Sequence, residues 1–253
     1  MSHNRTPLIV GNWKMHKTIA EARAFVDALR ARALPLDVVD AVIAPPFTAL
    51  CALRDALAGT AIGVGAQNMC WADAGAYTGE IAPRMLAECG ARWVILGHSE
   101  RRAMFGELDE RVNEKVRAAL AHGMTPIVAV GETADEHAAG AARDKVCAQV
   151  RAAFDGVDAA DAARCVVAYE PIWAIGTGHA DTPPQANAIM GEIRTAVAGL
   201  AGCRLLYGGS MNPTNVGEFV QQPNIDGGLV GGASLAPDSF AALLDGACRG
   251  VRA

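Results

Sequence analysis

The sequence has no excess of basic residues and no long apolar run, and these two absences exclude several classes of protein. Its 253 residues carry 22 lysines and arginines against 27 acidic residues, a formal net charge of -5. Because nucleic acids and anionic membranes are bound through basic surfaces, neither is an expected partner. No stretch approaches the roughly 18 apolar residues of a membrane-spanning helix, and the start lacks a secretory apolar region. We therefore expect a cytoplasmic protein.

The sequence also lacks the cysteine spacings that indicate disulfides or bound zinc. Its seven cysteines are odd in number and scattered, without a Cys-x-x-Cys pair or a histidine pair at metal-ligand spacing. We expect reduced thiols, most of them buried as small apolar side chains, and no metal. Hydrophobic residues make up 51% of the chain and charged residues 19%, which is enough apolar material for a large core and excludes disorder.

Short apolar runs rich in branched residues alternate with longer segments of helical periodicity, and this alternation predicts the architecture. The eight runs are residues 8–10, 38–44, 61–66, 93–96, 126–130, 165–169, 204–207 and 228–230. Helix-start signals lie between them: Thr18 and Glu21, and Thr133 and Glu136, fit capping boxes, and Thr182 is an N-cap candidate before a proline.

Continuous apolar strands of this length indicate a parallel sheet that is buried on both faces beneath helical connections. Eight strand–helix repeats in about 250 residues predict an α/β protein, a single-domain closed (β/α)8 barrel over residues 1–253 with its core at about residues 8–248. An open doubly wound sheet is the alternative. The sequence Gly63-Val64-Gly65 lacks the third glycine of a dinucleotide-binding turn, which disfavours the nucleotide-binding open sheets.

Polar residues that directly follow the apolar runs are the candidates for chemistry, because strand ends share one rim of a parallel barrel. Glu170 follows the sixth run, where desolvation would make it a stronger base, although structural carboxylates also end strands. His98 follows the fourth run and could donate a hydrogen bond to a carbonyl oxygen, or simply begin a helix. Lys14 follows the first run and offers a positive charge, or is a solvated lysine.

Two glycine-containing segments suggest how an anion could be held in a chain with so few basic residues. Gly231 and Gly232 follow the eighth run, where backbone N–H groups can approach a phosphate closely, unless they form only a tight turn. Residues 171–178, PIWAIGTG, resemble a flap with apolar residues between a proline and glycines. Such a flap would exclude water from a site, whereas an ordinary packed loop is the other interpretation.

Taken together, these segments resemble the triosephosphate isomerase family. Residues 168–178, AYEPIWAIGTG, are similar to the signature of the family, and four further motifs follow its order along almost the whole chain: NWK at 12–14, GHSERR at 97–102, YGGS at 207–210 and LVGGASL at 229–235. The resemblance implies interconversion of dihydroxyacetone phosphate and D-glyceraldehyde 3-phosphate through an enediolate, without cofactor or metal, in glycolysis and gluconeogenesis.

The resemblance also implies roles for individual residues. Glu170 is the base that moves a proton between adjacent carbons, His98 polarises the carbonyl and moves protons between oxygens, and Lys14 contacts the substrate. The remaining implied residues are Asn12 at the substrate, backbone N–H groups of Gly176, Ser210, Gly231 and Gly232 at the phosphate, and Ser99 and Glu100 in support.

A homodimer is a further implication of the resemblance. Residues 67–71 and 76–80 are similar to the third loop of the family, which enters the partner subunit, with Gln67 near its start and Thr78 approaching the partner's site. One departure is Ala129, where family members often carry cysteine, and we expect at most a modest loss from it. The alternatives are another phosphate-binding barrel enzyme, such as an aldolase or a different sugar-phosphate isomerase, and a non-catalytic barrel that only binds.

Overall fold

The computed structural model describes residues 5–175 and 181–252 and has eight parallel strands closed into a barrel in chain order. The strands are β1 Leu8–Asn12, β2 Asp40–Ala44, β3 Gly63–Ala66, β4 Trp93–Leu96, β5 Thr125–Val130, β6 Val166–Tyr169, β7 Arg204–Tyr207 and β8 Gly227–Val230. Closure is made by β8 pairing with β1, where Leu8 is the register partner of Gly227. The architecture is the predicted (β/α)8, or TIM, barrel.

Helices connect the strands on the outside of the barrel. They are α1 Ile19–Arg30, α2 Leu50–Ala56, α3 Pro83–Glu88, α4 Ser99–Phe105, α5 Asp109–Ala121, α6 Ala134–Ala138, α7 Ala142–Ala153, α8 Ala159–Ala162, α9 Pro183–Ala196, α10 Val216–Val220 and α11 Pro237–Arg252. Short 3-10 turns occupy Phe47–Ala49, Ile172–Ala174 and Gly232–Ser234.

The strands are apolar throughout because both of their faces are buried. In β1, Leu8 and Val10 belong to the cluster inside the barrel, whereas Ile9 belongs to the larger cluster between sheet and helices. All three side chains are fully buried. A side-chain period of two therefore places alternate residues in two different apolar layers, which explains the absence of polar alternation in the sequence.

The predicted helix starts are confirmed by their hydrogen bonds. Thr18 and Thr133 each begin a helix with both halves of a capping box, to Glu21 and Glu136. Hydrogen bonds from the Thr133 backbone lower the pKa of Glu136, which is the mark of a carboxylate that accepts a cap N–H. Thr182 caps α9, whose first residue is a proline.

Six of the eight strands have a boundary that differs from the apolar run, and two of these differences have a clear cause or consequence. The second run was expected to begin at Val38, but β2 begins at Asp40 because the N–H groups of Val38 and Val39 both donate to the Pro35 carbonyl in a turn. The first strand extends beyond its run to Asn12, which pairs with Ala44. Asn12 is therefore the last residue of β1, and its polar side chain lies at the rim of the barrel.

Candidate active site

Residues at the carboxyl ends of the strands surround one cavity of about 280 Å³. Its lining consists of Asn12, Lys14, His98, Glu170, Ile175, Gly208, Gly209, Ser210, Met211, Asn212, Leu229, Gly231, Gly232 and Ala233. These residues are among the last residues of β1 and β8 or follow β1, β4, β6, β7 and β8, so the barrel gathers residues that are far apart in sequence. Among the described residues of the lining, Lys14 is the only lysine or arginine.

Glu170 lies directly after β6 and is 2% exposed. Its main-chain N–H donates to the Val130 carbonyl at 2.7 Å, which continues the pairing of β5 with β6 past the last strand residue. Two glycines leave room for it: a Cβ on Gly131 would lie 1.8 Å from the Glu170 carbonyl oxygen, and one on Gly208 would lie 2.8 Å from its Cγ. The carboxylate is thus held at the mouth of the barrel between two strand ends without side chains.

The Glu170 carboxylate and the His98 imidazole contact each other. His98 Nε2 lies 3.0 Å from Glu170 Oε1, and the main-chain N–H of Ser99 donates to Glu170 Oε2 at 2.8 Å. His98 Nδ1 accepts the N–H of Glu100 at 3.2 Å, where His98 caps α4. Because Nδ1 is an acceptor, the proton of the neutral ring is on Nε2, which points into the cavity towards the carboxylate.

Lys14 is held over the cavity by contacts on its main chain and on its amine. Its backbone has a φ of 51°, a left-handed conformation that is unusual outside glycine. The Lys14 N–H donates to Asn12 Oδ1 at 3.0 Å, and Gln67 Nε2 donates to the Lys14 carbonyl at 2.8 Å. The Lys14 Nζ lies 2.6 Å from Glu100 Oε1. Three separate strand ends therefore fix the position of this positive charge.

Another side of the cavity is formed by the turns after β7 and β8, whose residues carry no formal charge. Ser210 donates through its hydroxyl to the Ala174 carbonyl at 2.6 Å, so its side chain is already used and its main-chain N–H is the group available for a ligand. A Cβ on Gly231 would lie 3.3 Å from the Lys14 Cε, whereas one on Gly232 would meet nothing within 4 Å. This bare backbone beside a lysine is suited to an anion.

A buried carboxylate ties residues 171–175 to the barrel. Glu132 is fully buried and accepts hydrogen bonds from Tyr169 Oη at 3.1 Å and from Trp173 Nε1 at 2.7 Å. The His137 ring packs on the Trp173 indole at a centroid distance of 4.4 Å. Burial and the negative charge of Glu132 raise the pKa of Tyr169 well above its usual range. These contacts fix Trp173 beside the site.

Most of the sequence-derived candidates meet at this cavity. Asn12, Lys14, His98, Glu170, Ser210, Gly231 and Gly232 line it. Ser99 and Glu100 contact Glu170 and Lys14 respectively, and Gln67 binds the Lys14 carbonyl. Thr78 is exposed and is not among the lining residues. Gly176 and the second half of the expected flap lie outside the described residues.

Glu132, which holds Tyr169 and Trp173, was not among the candidates from the sequence, although it follows β5 after one glycine as the candidates follow their strands. The apolar lining residues Met211 and Leu229 were not anticipated either, whereas Ile175 belongs to the expected flap. In the described part of the chain, no group of three or more His, Cys, Asp or Glu side chains could hold a metal ion. Over the same residues, no helix is both long enough and apolar enough to cross a membrane.

Comparisons with known proteins agree on one family. The family model described as triosephosphate isomerase matches residues 7–247. A triosephosphate isomerase of Symbiobacterium thermophilum is 49% identical over 94% of this chain and 96% of its own, and one of Roseiflexus sp. is 51% identical over 93% and 95%. A third, of Chloroflexus aurantiacus, is 50% identical over 95% of this chain and 98% of its own.

Proposed function

The chain belongs to the triosephosphate isomerase family, and we propose on this premise that it interconverts dihydroxyacetone phosphate and D-glyceraldehyde 3-phosphate through an enediolate, as a step of glycolysis and gluconeogenesis. The single observation that carries the proposal is the contact of His98 Nε2 with Glu170 Oε1 at 3.0 Å inside a cavity whose only described lysine or arginine is Lys14. A base, a neutral hydrogen-bond donor and a fixed cation are the groups that enolisation beside a carbonyl needs.

Glu170 is the proposed general base. Its carboxylate accepts hydrogen bonds from His98 and from the Ser99 main chain, and both partners directly follow β4 and begin α4. A substrate carbonyl that takes over the His98 N–H frees one carboxylate oxygen to remove a proton from the adjacent carbon. The same carboxylic acid then returns the proton to the neighbouring carbon, which completes the isomerisation without a cofactor.

His98 is the proposed electrophile and Lys14 the proposed source of positive charge. The Nε2–H of the neutral imidazole donates to the carbonyl oxygen as negative charge develops there, and the ring can move protons between the two oxygens. Lys14 offsets the charge of the enediolate and of the phosphate, with Asn12 beside it fixing its main chain.

Backbone N–H groups are the proposed phosphate ligands, namely those of Ser210, Gly231, Gly232 and Gly176. The absence of side chains at the glycines and the use of the Ser210 hydroxyl within the protein support main-chain binding. In a chain of net charge -5, the dipoles of these main-chain N–H groups hold an anion locally without a basic surface.

We further propose that the protein is a cytosolic homodimer. Apolar side chains are exposed around residues 67–82: Met15 is 93% exposed, Phe105 69%, Met85 46% and Tyr77 42%. Such side chains are costly to leave in water and support a second copy of the chain as their cover, with Thr78 at the partner's site. Analytical ultracentrifugation at micromolar concentration tests the dimer.

Conversion of D-glyceraldehyde 3-phosphate in D2O tests the reaction. Turnover is followed by coupling the product to an NADH-dependent dehydrogenase, and the product of a separate reaction without the dehydrogenase is analysed by NMR for deuterium. Because Glu170 exchanges its proton with solvent at the enediolate stage, we expect deuterium on the carbon beside the carbonyl. The Glu170→Asp variant, which sets the carboxylate back by one methylene, should turn over far more slowly. No turnover, or rapid turnover without any deuterium, would contradict the proposal.

A further inference from the structure

A second cavity of the barrel lies outside the active site, between α1 and α2, and has a volume of about 310 Å³. Leu29 and Arg30 line it from the last turn of α1, and Leu57 directly follows α2. Leu34 and Ile62 come from the connections that lead into β2 and β3. Because β2 and β3 begin there, this amino-end cavity lies at the amino ends of the strands, whereas the candidate active site lies at their carboxyl ends.

The walls of the amino-end cavity are apolar. Val26, Leu29 and Leu57 are buried, and Leu34 and Leu36 are half-buried. Side chains that border a cavity lack packing partners on one side, so an apolar group placed there gains contacts and leaves water. An apolar cavity of about 150 Å³ holds one benzene molecule, so one of about 310 Å³ has room for about twelve non-hydrogen atoms. The cavity is therefore large enough for a small ligand.

The positive charge of Arg30, an exposed residue, lies at the edge of this cavity. Its Nε donates to the Ala56 carbonyl at 3.0 Å, and its Nη2 donates to the Ala58 carbonyl. These contacts hold the guanidinium at the end of α2 and use two of its five N–H bonds, so three donors remain. In the described part of the chain, no aspartate or glutamate forms an ion pair with Arg30.

Arg32, the other cation of the lining, is already paired. Its Nη2 binds the carboxylate of Asp238 in α11, and its Nη1 donates to the Ala28 carbonyl at 3.4 Å. Among the described residues, the lining contains no aspartate or glutamate. Arg30 therefore gives the cavity a positive charge that a ligand carboxylate can pair with.

We propose that the amino-end cavity is a binding site for a small carboxylic acid with an apolar tail, such as octanoate. The tail packs on Leu29, Leu34 and Leu57, and the carboxylate accepts hydrogen bonds from Arg30. With about ten non-hydrogen atoms, such an acid fits the volume of the cavity. A phosphate would leave the leucines without an apolar partner, and a hydrocarbon would leave the arginine without an anion, so each matches only half of the lining.

This site and the proposed dimer interface occupy different parts of the molecule. The exposed apolar side chains assigned to the dimer surround residues 67–82, which follow β3 at its carboxyl end, whereas Leu34 and Ile62 precede their strands. The amino-end cavity therefore stays accessible in such a dimer. A ligand bound there contacts neither His98 nor Glu170, so its binding can be tested whether or not the protein is an isomerase.

Titration of the intact protein with sodium octanoate below its micellar concentration, followed by methyl NMR, tests the proposal. We expect the methyl signals of Leu29, Leu57 and Ile62 to shift together, with a Kd of about 1 mM or tighter. The methyl signals of Leu229, in the active-site cavity, should stay in place. Octanamide, which keeps the tail and removes the charge, should bind at least about fivefold more weakly, because a charge-assisted hydrogen bond is lost.

Variants separate the charge of Arg30 from its structural contacts. Arg30→Met should weaken octanoate binding at least about fivefold and leave octanamide binding within about twofold. Arg30→Lys, which also loses the guanidinium but keeps the charge, should bind octanoate more tightly than Arg30→Met does. The matched control is Arg23→Met, because Arg23 is an exposed arginine of the same helix outside the lining. Leu34→Trp fills the cavity from a half-buried position and should abolish binding of both compounds.

Four results would overturn the proposal. Equal binding of octanoate and octanamide would show that Arg30 takes no part. Shifts at Leu229 in place of those at Leu57 would assign the ligand to the active-site cavity. Shifts spread over the surface without saturation would show detergent-like association only. Loss of a dimer in Leu34→Trp, seen by analytical ultracentrifugation, would assign the cavity to an interface between copies. The first three results come from the wild-type protein, so they do not depend on the folding of a variant.

Discussion

Replacing Lys14 by methionine should weaken catalysis of the phosphorylated substrate by about a thousandfold in kcat/KM. At an effective dielectric constant of about 20, a unit charge about 4 Å from a phosphate contributes about 4 kcal/mol for each phosphate charge. A dianion doubles that figure, and water reaches the Lys14 side chain, which is 29% exposed, and screens about half of the interaction. The remaining roughly 4 kcal/mol corresponds to about three powers of ten in kcat/KM.

The assay compares D-glyceraldehyde 3-phosphate with D-glyceraldehyde, which has the same reacting carbons and no phosphate. Lys14→Met should cost much less on the uncharged sugar, because only the developing enediolate charge is then affected. Lys17→Met is the matched control: its amine lies 5.2 Å from the centre of the Trp13 ring in the same connection and does not line the cavity. Equal losses on both substrates, or a loss of less than tenfold on the phosphate ester, would refute the electrostatic reasoning.

Three other perturbations have defined outcomes. Lys115→Met removes one of the two cationic partners of the buried Glu107, at 2.6 Å, and leaves the other, Arg101, at 2.7 Å, so it should lower the free energy of unfolding in urea by about 1.5–3 kcal/mol; an unchanged free energy of unfolding would contradict this. Burial raises the pKa of Asp181 above 3.8, so its ionisation opposes folding at pH values above the raised pKa and has no effect below 3.8. Asp181→Asn should therefore raise the urea midpoint at pH 7 and leave it nearly unchanged at the lowest pH at which the protein folds, and equal shifts at both pH values would exclude this origin. Gly131→Ala, whose Cβ would lie 1.8 Å from the backbone oxygen of the proposed base, should lower kcat by about a hundredfold or prevent folding, whereas Gly202→Ala meets nothing within 4 Å and should do neither.

The strands could be predicted from the sequence because burial on both faces leaves a local trace. Each of the eight apolar runs contains or overlaps one strand, and β4 and β7 coincide with their runs. A predicted boundary is wrong where the apolar run includes residues outside the strand. Val38 and Val39 directly precede β2 in the run, but their N–H groups donate hydrogen bonds in a turn. An apolar run indicates where side chains are buried, but it does not indicate where the main chain pairs with a neighbouring strand.

The site was predictable to the extent that its residues follow strands. What the sequence could not provide is which partner each residue contacts, because the contacts cross the barrel. Ser99 acts through its main-chain N–H on Glu170, which no side-chain type reveals. The protonated nitrogen of His98 follows from the acceptor role of Nδ1 at the start of α4, which is known only from the geometry. Local patterns therefore left several interpretations open, and the motif resemblance decided among them before the structure did.

The contact between base and electrophile depends on a residue that contacts no substrate. His98 follows β4 and Glu170 follows β6, and β5 lies between these two strands in the barrel. For the carboxylate to reach the imidazole at 3.0 Å, the main chain of Glu170 passes over Gly131, the residue directly after β5. Any side chain there would overlap the Glu170 carbonyl. The glycine between β5 and Glu132 therefore does more than begin a turn, because it sets the separation of the two groups on which the chemistry depends.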